Sequence, residues 1–233
     1  MKGLVLLIVW TMSSLAAAFS FDNDVPKDIQ NQMLADLKFI GTIQSDCSSD
    51  FHLKIFGKVD GRDYTHFFET RVLSIGLSDC GNPKAVACVN IFNPSKMWIT
   101  NNFIKFSHPQ VARMMIVFHE SRHTESQNGN WMHATCPNPF LDENGKEIKS
   151  IWTGSSLAGE PACEITPFGS YGSSMIMLKN ISKFCKNCSE KVRQDAGIYA
   201  DDQFKRVIDA DAIAAIKQDL YNGTEEVIEI GKY

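Results

Sequence analysis

Residues 107–125 of this 233-residue chain read SHPQVARMMIVFHESRHTE. Pro109 suits the first turn of a helix, where a backbone N–H group is not needed for hydrogen bonding. The uninterrupted apolar run of residues 114–118 predicts that this helix is buried. We therefore expect a central helix from about Ser107 to about Glu125, with the rest of the chain packed around it.

The last turns of this predicted helix carry the pattern HExxH at residues 119–123. Side chains at positions i and i+4 share one helix face, so the imidazoles of His119 and His123 can bind the same metal ion. The carboxylate of Glu120 lies beside them and could act as a general base toward a water molecule at that ion. In the alternative interpretation, the two histidines are ordinary core or surface residues of a partly buried helix.

An HExxH pattern on a buried helix resembles the zinc metallopeptidases known as zincins. This resemblance implies a zincin-like fold, Zn²⁺ as the cofactor, and hydrolysis of amide bonds with Glu120 as the general base. The sequence departs from the usual zincin pattern at Arg122, between the glutamate and the second histidine, and at Glu125, where a hydrophobic residue is common. The H-x-x-G-x-x-H continuation of the metzincin branch does not occur.

Three short elements are also similar to stretches in uncharacterised exported bacterial proteins. The elements are HESRHT at 119–124, His133 followed by Cys136-Pro137, and Cys163-Glu164 followed by Tyr171-Gly172. This second resemblance implies export and carries no activity of its own.

A catalytic zinc site needs a third protein ligand and one open coordination position. His133 is the preferred third ligand, because Gly129 permits a chain reversal after the helix that could return His133 to the metal. Glu164 and Glu160, in the stretch GEPACE, are the alternatives, and either could bind as the downstream carboxylate does in the gluzincin branch. A histidine packed beside Trp131, or a solvated loop acid, would explain these residues without a metal.

Two further residues are candidates for a role in catalysis or binding. Tyr171 lies between glycines in the stretch GSYG at 169–172, near a predicted helix start. Its hydroxyl could stabilise the oxyanion that forms when an amide carbonyl is attacked, although an aromatic cap on the core would explain it equally well. Arg122 could bind a substrate carboxylate, but a charged helix face is an equally good explanation.

Outward from the central helix, the sequence predicts one α+β domain, with an antiparallel sheet before this helix and further helices after it. Apolar spacing predicts a first helix at 26–39, and apolar alternation with a hairpin signal at Asp60-Gly61 predicts strands. The predicted strands are Phe51–Phe56, Tyr64–Leu77, Ala85–Phe92, Lys96–Thr100 and Phe103–Phe106. After a loop-rich segment at 127–172, the predicted helices are Ser173–Phe184, Ser189–Val207 and Asp211–Tyr221.

Cysteine usage points to a disulfide-bonded protein. The seven cysteines are at positions 47, 80, 88, 136, 163, 185 and 188. Disulfides are the default in an exported chain, which meets oxidising conditions. Cys80 and Cys88 could close a short loop, we expect a disulfide that includes Cys136 or Cys163, and we interpret the CxxC at 185–188 as structural. The first cysteine is the odd one out, and the pairing of the other six stays open.

Residues 1–20, MKGLVLLIVWTMSSLAAAFS, have the parts of an export signal. A lysine precedes an apolar core, and small residues suitable for cleavage follow it. The apolar run is shorter than a membrane-spanning helix needs. We expect cleavage after Ala18 or Ser20, a single mature domain over 21–233, and a secreted or periplasmic protein without stable membrane insertion.

Composition and charge narrow the possible functions. The chain is 44% hydrophobic and 21% charged with a formal charge of −4, which is typical of a globular domain and excludes disordered or collagen-like chains. A mildly acidic chain is not expected to bind nucleic acid. The first hypothesis is an exported zinc-dependent hydrolase that acts on peptides, proteins or cell-wall peptides. The second is a disulfide-stabilised binding or inhibitor domain with a chance or vestigial metal site.

Overall fold

The computed structural model describes residues 19–125 and 132–221, and in these residues it shows an α+β fold, as predicted. The strands are β1 (Ser20–Phe21), β2 (Ser74–Leu77), β3 (Ala87–Asn90) and β4 (Asn93–Ile99). The helices are α1 (Lys27–Ile40), α2 (Asp50–Phe56), α3 (Gly61–Glu69), α4 (Asn101–Lys105), α5 (Gln110–His123), α6 (Ser170–Phe184), α7 (Glu190–Phe204) and α8 (Ala210–Leu220).

The predicted central helix is confirmed as α5, which begins directly after Pro109. Most of its side chains are buried, and they include polar residues as well as the apolar run. Helices α1, α3, α6 and α7 and strands β3 and β4 all pack against it. A helix covered on all sides in this way places whatever its side chains bind inside the protein.

The sheet is mixed, so the prediction of an antiparallel sheet is wrong. Its strand order is β1-β2-β4-β3, with β2 parallel to both of its neighbours and only β3 antiparallel to β4. Three helices connect β1 to β2, and a crossover of this length returns the chain in the same direction. Only β3 and β4 follow each other through a tight turn.

Two segments predicted as strands form short helices instead. Phe51–Phe56 lies in α2, where the side chain of Ser49 caps the helix by accepting a hydrogen bond from the backbone N–H of His52. Phe103–Phe106 falls largely in α4, which Thr100 caps in the same way. The caps satisfy N–H groups that a helix start leaves unpaired, and apolar residues in so short a stretch fit either period.

The predicted strand Tyr64–Leu77 divides into the helix α3 and the strand β2. Asp60 caps α3, because its carboxylate accepts a hydrogen bond from the backbone N–H of Arg62, so Asp60-Gly61 begins a helix and no hairpin forms there. The buried residues of α3 have helical spacing, and they are Gly61, Tyr64, Phe67 and Phe68.

The remaining helix predictions are confirmed with small shifts at their ends. The first helix is α1, and the last three are α6, α7 and α8. The segment predicted as loop-rich has only isolated bridges in its described part up to the start of α6. The segment connects α5 to α6, and these two helices pack against each other. Both ends of the segment are therefore held by packed helices.

Three disulfide bonds form, as the cysteine count predicts. They are Cys80–Cys88, Cys136–Cys163 and Cys185–Cys188, and Cys47 is free and exposed. The second of these bonds confirms the prediction of a disulfide that includes Cys136 or Cys163. Disulfides are compatible with an extracellular protein.

The predicted export signal at 1–20 lies outside the described residues except for its last two. Of these, Ser20 donates its backbone N–H to the carbonyl oxygen of Leu73 at 3.0 Å, and the ring of Phe19 packs against Phe68. Both residues therefore belong to the folded domain. None of the helices in 19–125 and 132–221 is long and apolar enough to cross a membrane.

Candidate metal centre

Three histidines bring their Nε2 atoms together at the C-terminal end of α5. The Nε2–Nε2 distances are 3.2 Å from His119 to His133, 3.3 Å from His119 to His123, and 3.0 Å from His123 to His133. A neutral Nε2 atom carries either one hydrogen or one lone pair, so three of them can make only one good hydrogen bond among themselves. A shared cation would satisfy all three.

The spacing of these nitrogen atoms fits zinc. In a tetrahedral site with Zn–N bonds of 2.0–2.1 Å, neighbouring ligand atoms lie about 3.3 Å apart. The three histidines form a group that could hold a metal ion. Three protein ligands leave the fourth position of such a site open, which is the arrangement of a catalytic rather than a structural zinc.

Helix geometry and burial prepare the two histidines of α5 for metal binding. His119 and His123 stand one helical turn apart and are both buried. Burial holds the pKa of His119 well below its usual range, and the neighbouring imidazoles of His123 and His133 act in the same direction. The neutral imidazole that this favours is the form that binds a metal ion.

His133 returns to the helix as the sequence predicted, although the proposed turn at Asn128-Gly129 lies outside the described residues. The next residue, Ala134, exchanges two backbone hydrogen bonds with Cys163, at 2.8 and 3.0 Å. The disulfide between Cys136 and Cys163 joins the same two segments. These covalent and hydrogen-bonded links hold the loop that carries His133 in place.

Glu164, one of the two alternative ligands, contacts the opposite nitrogen of the His133 ring. Its Oε1 lies 2.9 Å from Nδ1 of His133, and its side chain is buried. A carboxylate in this position orients the imidazole and increases its basicity as a metal ligand. The other alternative, Glu160, lies on the wall of the cavity and forms an ion pair with Lys84 at 2.6 Å.

A close approach by Gly169 fixes the position of the Glu164 carboxylate. A Cβ atom at residue 169 would lie 1.9 Å from Oε2 of Glu164, so a larger residue there would displace this carboxylate. Gly169 is also the N-cap of α6. The carboxylate therefore sits at the start of a long helix, where the helix dipole stabilises a negative charge.

Glu120 places a carboxylate in the same buried region. Its side chain lines the cavity beside the histidines, and in the part of the chain that is described its Oε2 has no hydrogen-bond partner. Burial raises the pKa of Glu120 to about 8. A cation at the histidines would oppose this shift, because an opposite charge favours the carboxylate form.

Tyr171, in the first turn of α6, packs its ring against two of the three histidines. Its ring centroid lies 4.4 Å from that of His119 and 4.5 Å from that of His133. Burial raises the pKa of the Tyr171 hydroxyl, and the charge of Arg206 partly offsets this rise. A protonated hydroxyl can donate a hydrogen bond, which is what its predicted role requires.

The two charged residues that depart from the zincin pattern contact each other. Arg122 forms an ion pair with Glu125, and it donates a hydrogen bond to the carbonyl oxygen of Phe168 at 2.6 Å. Arg71 donates to the same glutamate from α3's C-terminal side, also at 2.6 Å. This buried network ties the end of α5 to the segment that precedes α6, so Arg122 faces protein partners.

Sequence reasoning missed Arg206, which lies just after α7. Its side chain is only 6% exposed, it lines the cavity, and its guanidinium carbon lies 4.6 Å from the ring centroid of Tyr171. No local motif marks this arginine, because only the fold brings residue 206 next to residues 119 and 171. The backbone hydrogen bond from the N–H of Glu164 to the carbonyl oxygen of Arg206 is equally non-local.

The site opens into a cavity of about 280 Å³. Residues 86–89, at and before strand β3, form one wall, and residues 150–157 of the long loop form another. His119, His123, His133 and Glu120 also line it. The position of β3 at the end of the strand order means that a terminal strand of the described sheet borders the cavity.

Comparison with known proteins finds no matching family model, no curated relative and no matching solved structure.

Proposed function

We propose that this protein is an exported zinc-dependent hydrolase of the zincin type that cleaves amide bonds in peptides. The observation that carries the proposal is the triangle of three Nε2 atoms, 3.0–3.3 Å apart, in the same cavity as Glu120, whose Oε2 has no hydrogen-bond partner among the described residues. Three histidine ligands with an open fourth position are typical of a catalytic zinc, and Glu120 lines the same cavity as a candidate base.

Each residue of the site has a distinct task in this proposal. His119, His123 and His133 hold the ion, and Glu164 orients the ring of His133. When bound, zinc supplies Lewis-acid chemistry that polarises a carbonyl and makes water a better nucleophile at neutral pH. Glu120 accepts the proton of the attacking water at Oε2 and passes it to the nitrogen of the leaving amine.

Tyr171 is placed to assist at the carbonyl oxygen. Its ring contacts two of the histidines, and its hydroxyl stays protonated across the ordinary pH range because burial raises its pKa. In the proposal, this hydroxyl donates a hydrogen bond to the oxygen on which negative charge develops. His119 and Glu120 are buried, and burial lowers the local dielectric constant, which strengthens that interaction.

The shape of the cavity favours a peptide substrate. Strand β3 is terminal in the described sheet, and residues 86–89 line the cavity. An extended peptide can add to such an edge through main-chain hydrogen bonds, independent of its side chains. A protein, a secreted peptide or the peptide part of a cell wall would fit this chemistry.

Metal analysis combined with two substrate screens tests the proposal. We expect about one zinc per chain in the purified protein, and cleavage of either a denatured proteome or isolated peptidoglycan. Removal of zinc by a chelator should stop the cleavage, and added zinc should restore it. The variant His119→Ala is the matched control, because it loses a ligand and leaves the rest of the cavity in place.

Two results would contradict the proposal. Protein that holds no zinc after gentle purification and binds none on titration would exclude a zinc enzyme. Protein that binds zinc but cleaves neither substrate would favour the second hypothesis, a disulfide-stabilised binding or inhibitor domain with a vestigial metal site.

A further inference from the structure

Arg206 is a buried cation whose charge the described protein leaves incompletely paired. Its side chain is 6% exposed, and its Nε has no hydrogen-bond partner among the described residues. The one ion pair it makes within them joins Nη2 to Oδ2 of Asp202 at a distance of 3.8 Å. Burying a charge without good partners is costly, so an arginine kept in this state points to a partner that arrives from outside.

Asp202 is a weak partner for two reasons. Its Oδ2 already accepts a hydrogen bond from Nε2 of Gln203 at 2.9 Å, which is a shorter contact than the one to Arg206. Burial also raises the pKa of the Asp202 carboxyl, and the charge of Arg206 opposes this rise only in part. The guanidinium also forms a hydrogen bond with the Tyr171 side chain and lies over its ring, but Tyr171 is neutral. The charge of Arg206 can therefore still pair with a second anion.

The backbone holds Arg206 in a defined position beside the metal-binding group. The carbonyl oxygen of Arg206 accepts the backbone N–H of Glu164, and the N–H of Ile208 donates to the carbonyl oxygen of Glu164, both at 2.8 Å. The same glutamate orients His133. These backbone hydrogen bonds therefore position both Arg206 and the glutamate that orients His133. Little reorganisation of the protein is then needed when an anion binds to Arg206.

The guanidinium lies one aromatic ring away from the histidines. Tyr171 separates them, with its ring 4.6 Å from the guanidinium carbon on one side and 4.4 Å from the His119 ring on the other. The two distances together span at most about 9 Å. A carboxylate bound to the guanidinium takes up part of this span, and about two residues of an extended peptide, each about 3.3–3.6 Å long, cover the rest. An anion at Arg206 would therefore belong to a residue close to the bond that is cleaved.

From this geometry we infer that Arg206 anchors a carboxylate of the substrate, so that the site prefers peptides with a negative charge within about two residues of the cleaved bond. The planar fork of arginine can hold a carboxylate through two parallel hydrogen bonds. The carboxylate could come from an acidic side chain or from the free C-terminus of the peptide. The inference rests on the proposed function, since it names the substrate class of the same cavity.

Matched pairs of short peptides test this inference by binding rather than turnover. One pair is acetyl-Ala-Glu-amide and acetyl-Ala-Gln-amide, which differ only in the charge of a side chain. The other is acetyl-Ala-Ala with a free C-terminus and the same peptide as its C-terminal amide. Affinities are measured by isothermal titration calorimetry on the purified full chain, before and after saturation with zinc.

We expect the charged member of at least one pair to bind about 10- to 100-fold more tightly, because hydrogen bonds to charged groups are the strong ones. The pair that shows the preference identifies the source of the carboxylate. Arg206→Gln should abolish the preference, and Arg206→Lys should retain only part of it. Lys84→Gln, which removes a cation of the same cavity that is already paired with Glu160, should leave the preference intact.

The wild-type protein alone can overturn the inference, so the result does not depend on whether Arg206→Gln folds. If the wild-type protein bound the charged and neutral members of both pairs equally, the inference would be wrong. An equal loss of turnover on charged and neutral substrates in Arg206→Lys would also contradict it, since it would indicate a role at the oxyanion. A charge preference that needs Arg206 in protein that binds no zinc would support the inference while the proposed hydrolase fails.

Discussion

Oε1 of Glu164 lies 2.9 Å from Nδ1 of His133, while Nε2 of the same ring lies within 3.2 Å of the two histidines of α5. The glutamate thus supports the imidazole from behind, and the imidazole faces the metal position. The sequence allowed either residue to be the third ligand, and this contact gives each of them a separate role in the proposed site.

We predict that His133→Ala weakens zinc binding far more than Glu164→Gln does. Loss of His133 removes a ligand, whereas loss of an orienting carboxylate typically costs about 10- to 100-fold in metal affinity. Zinc titration against a competing chelator measures both, and Glu160→Gln is the control that should change the affinity little. An unchanged affinity in His133→Ala would contradict the proposed ligand set.

Glu120→Gln should keep zinc and lose activity. The amide cannot accept a proton from water, and general-base catalysis is typically worth about 10²–10⁴-fold in rate. Elemental analysis and the rate of peptide cleavage are measured on the same preparation, beside Glu143→Gln, which alters an exposed loop glutamate. Cleavage at the wild-type rate would rule out Glu120 as the base.

Removal of the Cys136–Cys163 disulfide should destabilise the protein and weaken zinc binding together. This bond closes a loop with a sequence separation of 27, which is worth about 3–4 kcal/mol in the chain-entropy model. Because the same bond holds the loop of His133, the double serine variant should also bind zinc less tightly. Denaturant unfolding measures the loss of stability, and zinc titration measures the change in zinc affinity.

The matched control is the double serine variant at Cys185 and Cys188, whose separation is only three residues. It should lose less stability and keep the zinc affinity of the wild type. If both variants bound zinc equally well, the disulfide would have no part in positioning His133.

The free energy of unfolding should fall as the pH drops from about 6.5 to about 4, with His52 as one cause. Burial lowers the pKa of His52 to about 4, whereas the unfolded chain takes up this proton near pH 6.5. The unfolded state therefore binds more protons in this interval, and up to about 3 kcal/mol is lost as the pH falls. At and above neutral pH, this contribution is fully present.

His52→Gln isolates this effect, because the other histidines are unchanged in the variant. Denaturant unfolding from pH 7.5 to 4 should give a shallower pH dependence for the variant than for the wild type. Burial keeps this ring neutral, and the contact of its Nδ1 atom with the carbonyl oxygen of Gly57, at 2.9 Å, offsets the lowering of the pKa only in part. Its Nε2 atom lies 2.7 Å from the hydroxyl of Tyr64. Parallel curves for the two proteins would show that His52 does not titrate in this way.

Of the two cleavage sites that the sequence allows, we predict the one after Ala18. Cleavage after Ser20 would remove the ring of Phe19 from Phe68 and the hydrogen bond from Ser20 to Leu73. Sequencing of the N-terminus of the exported protein should begin at Phe19. A mature chain that begins at Phe21 would show that these contacts are dispensable.

Local sequence determined the parts of this protein that depend on neighbouring residues alone. The helical spacing of residues 26–39, the proline before α5 and the i, i+4 histidines were readable because helical hydrogen bonds join residues four positions apart. The short stretches at 51–56 and 103–106 were not, because their apolar pattern fits both a helix and a strand. Their helical state depends on the caps at Ser49 and Thr100.

Only the tertiary structure decided which residues distant in sequence come together in the sheet and around the histidines of α5. The parallel pairing of β2, the carboxylate of Glu164 behind His133, and the guanidinium of Arg206 beside Tyr171 each join residues distant in sequence. Such contacts follow from how packed helices and a crossed-over sheet close around a core, and no local pattern encodes them. The sequence therefore determined which residues can bind a metal, and the packing decided which of them meet.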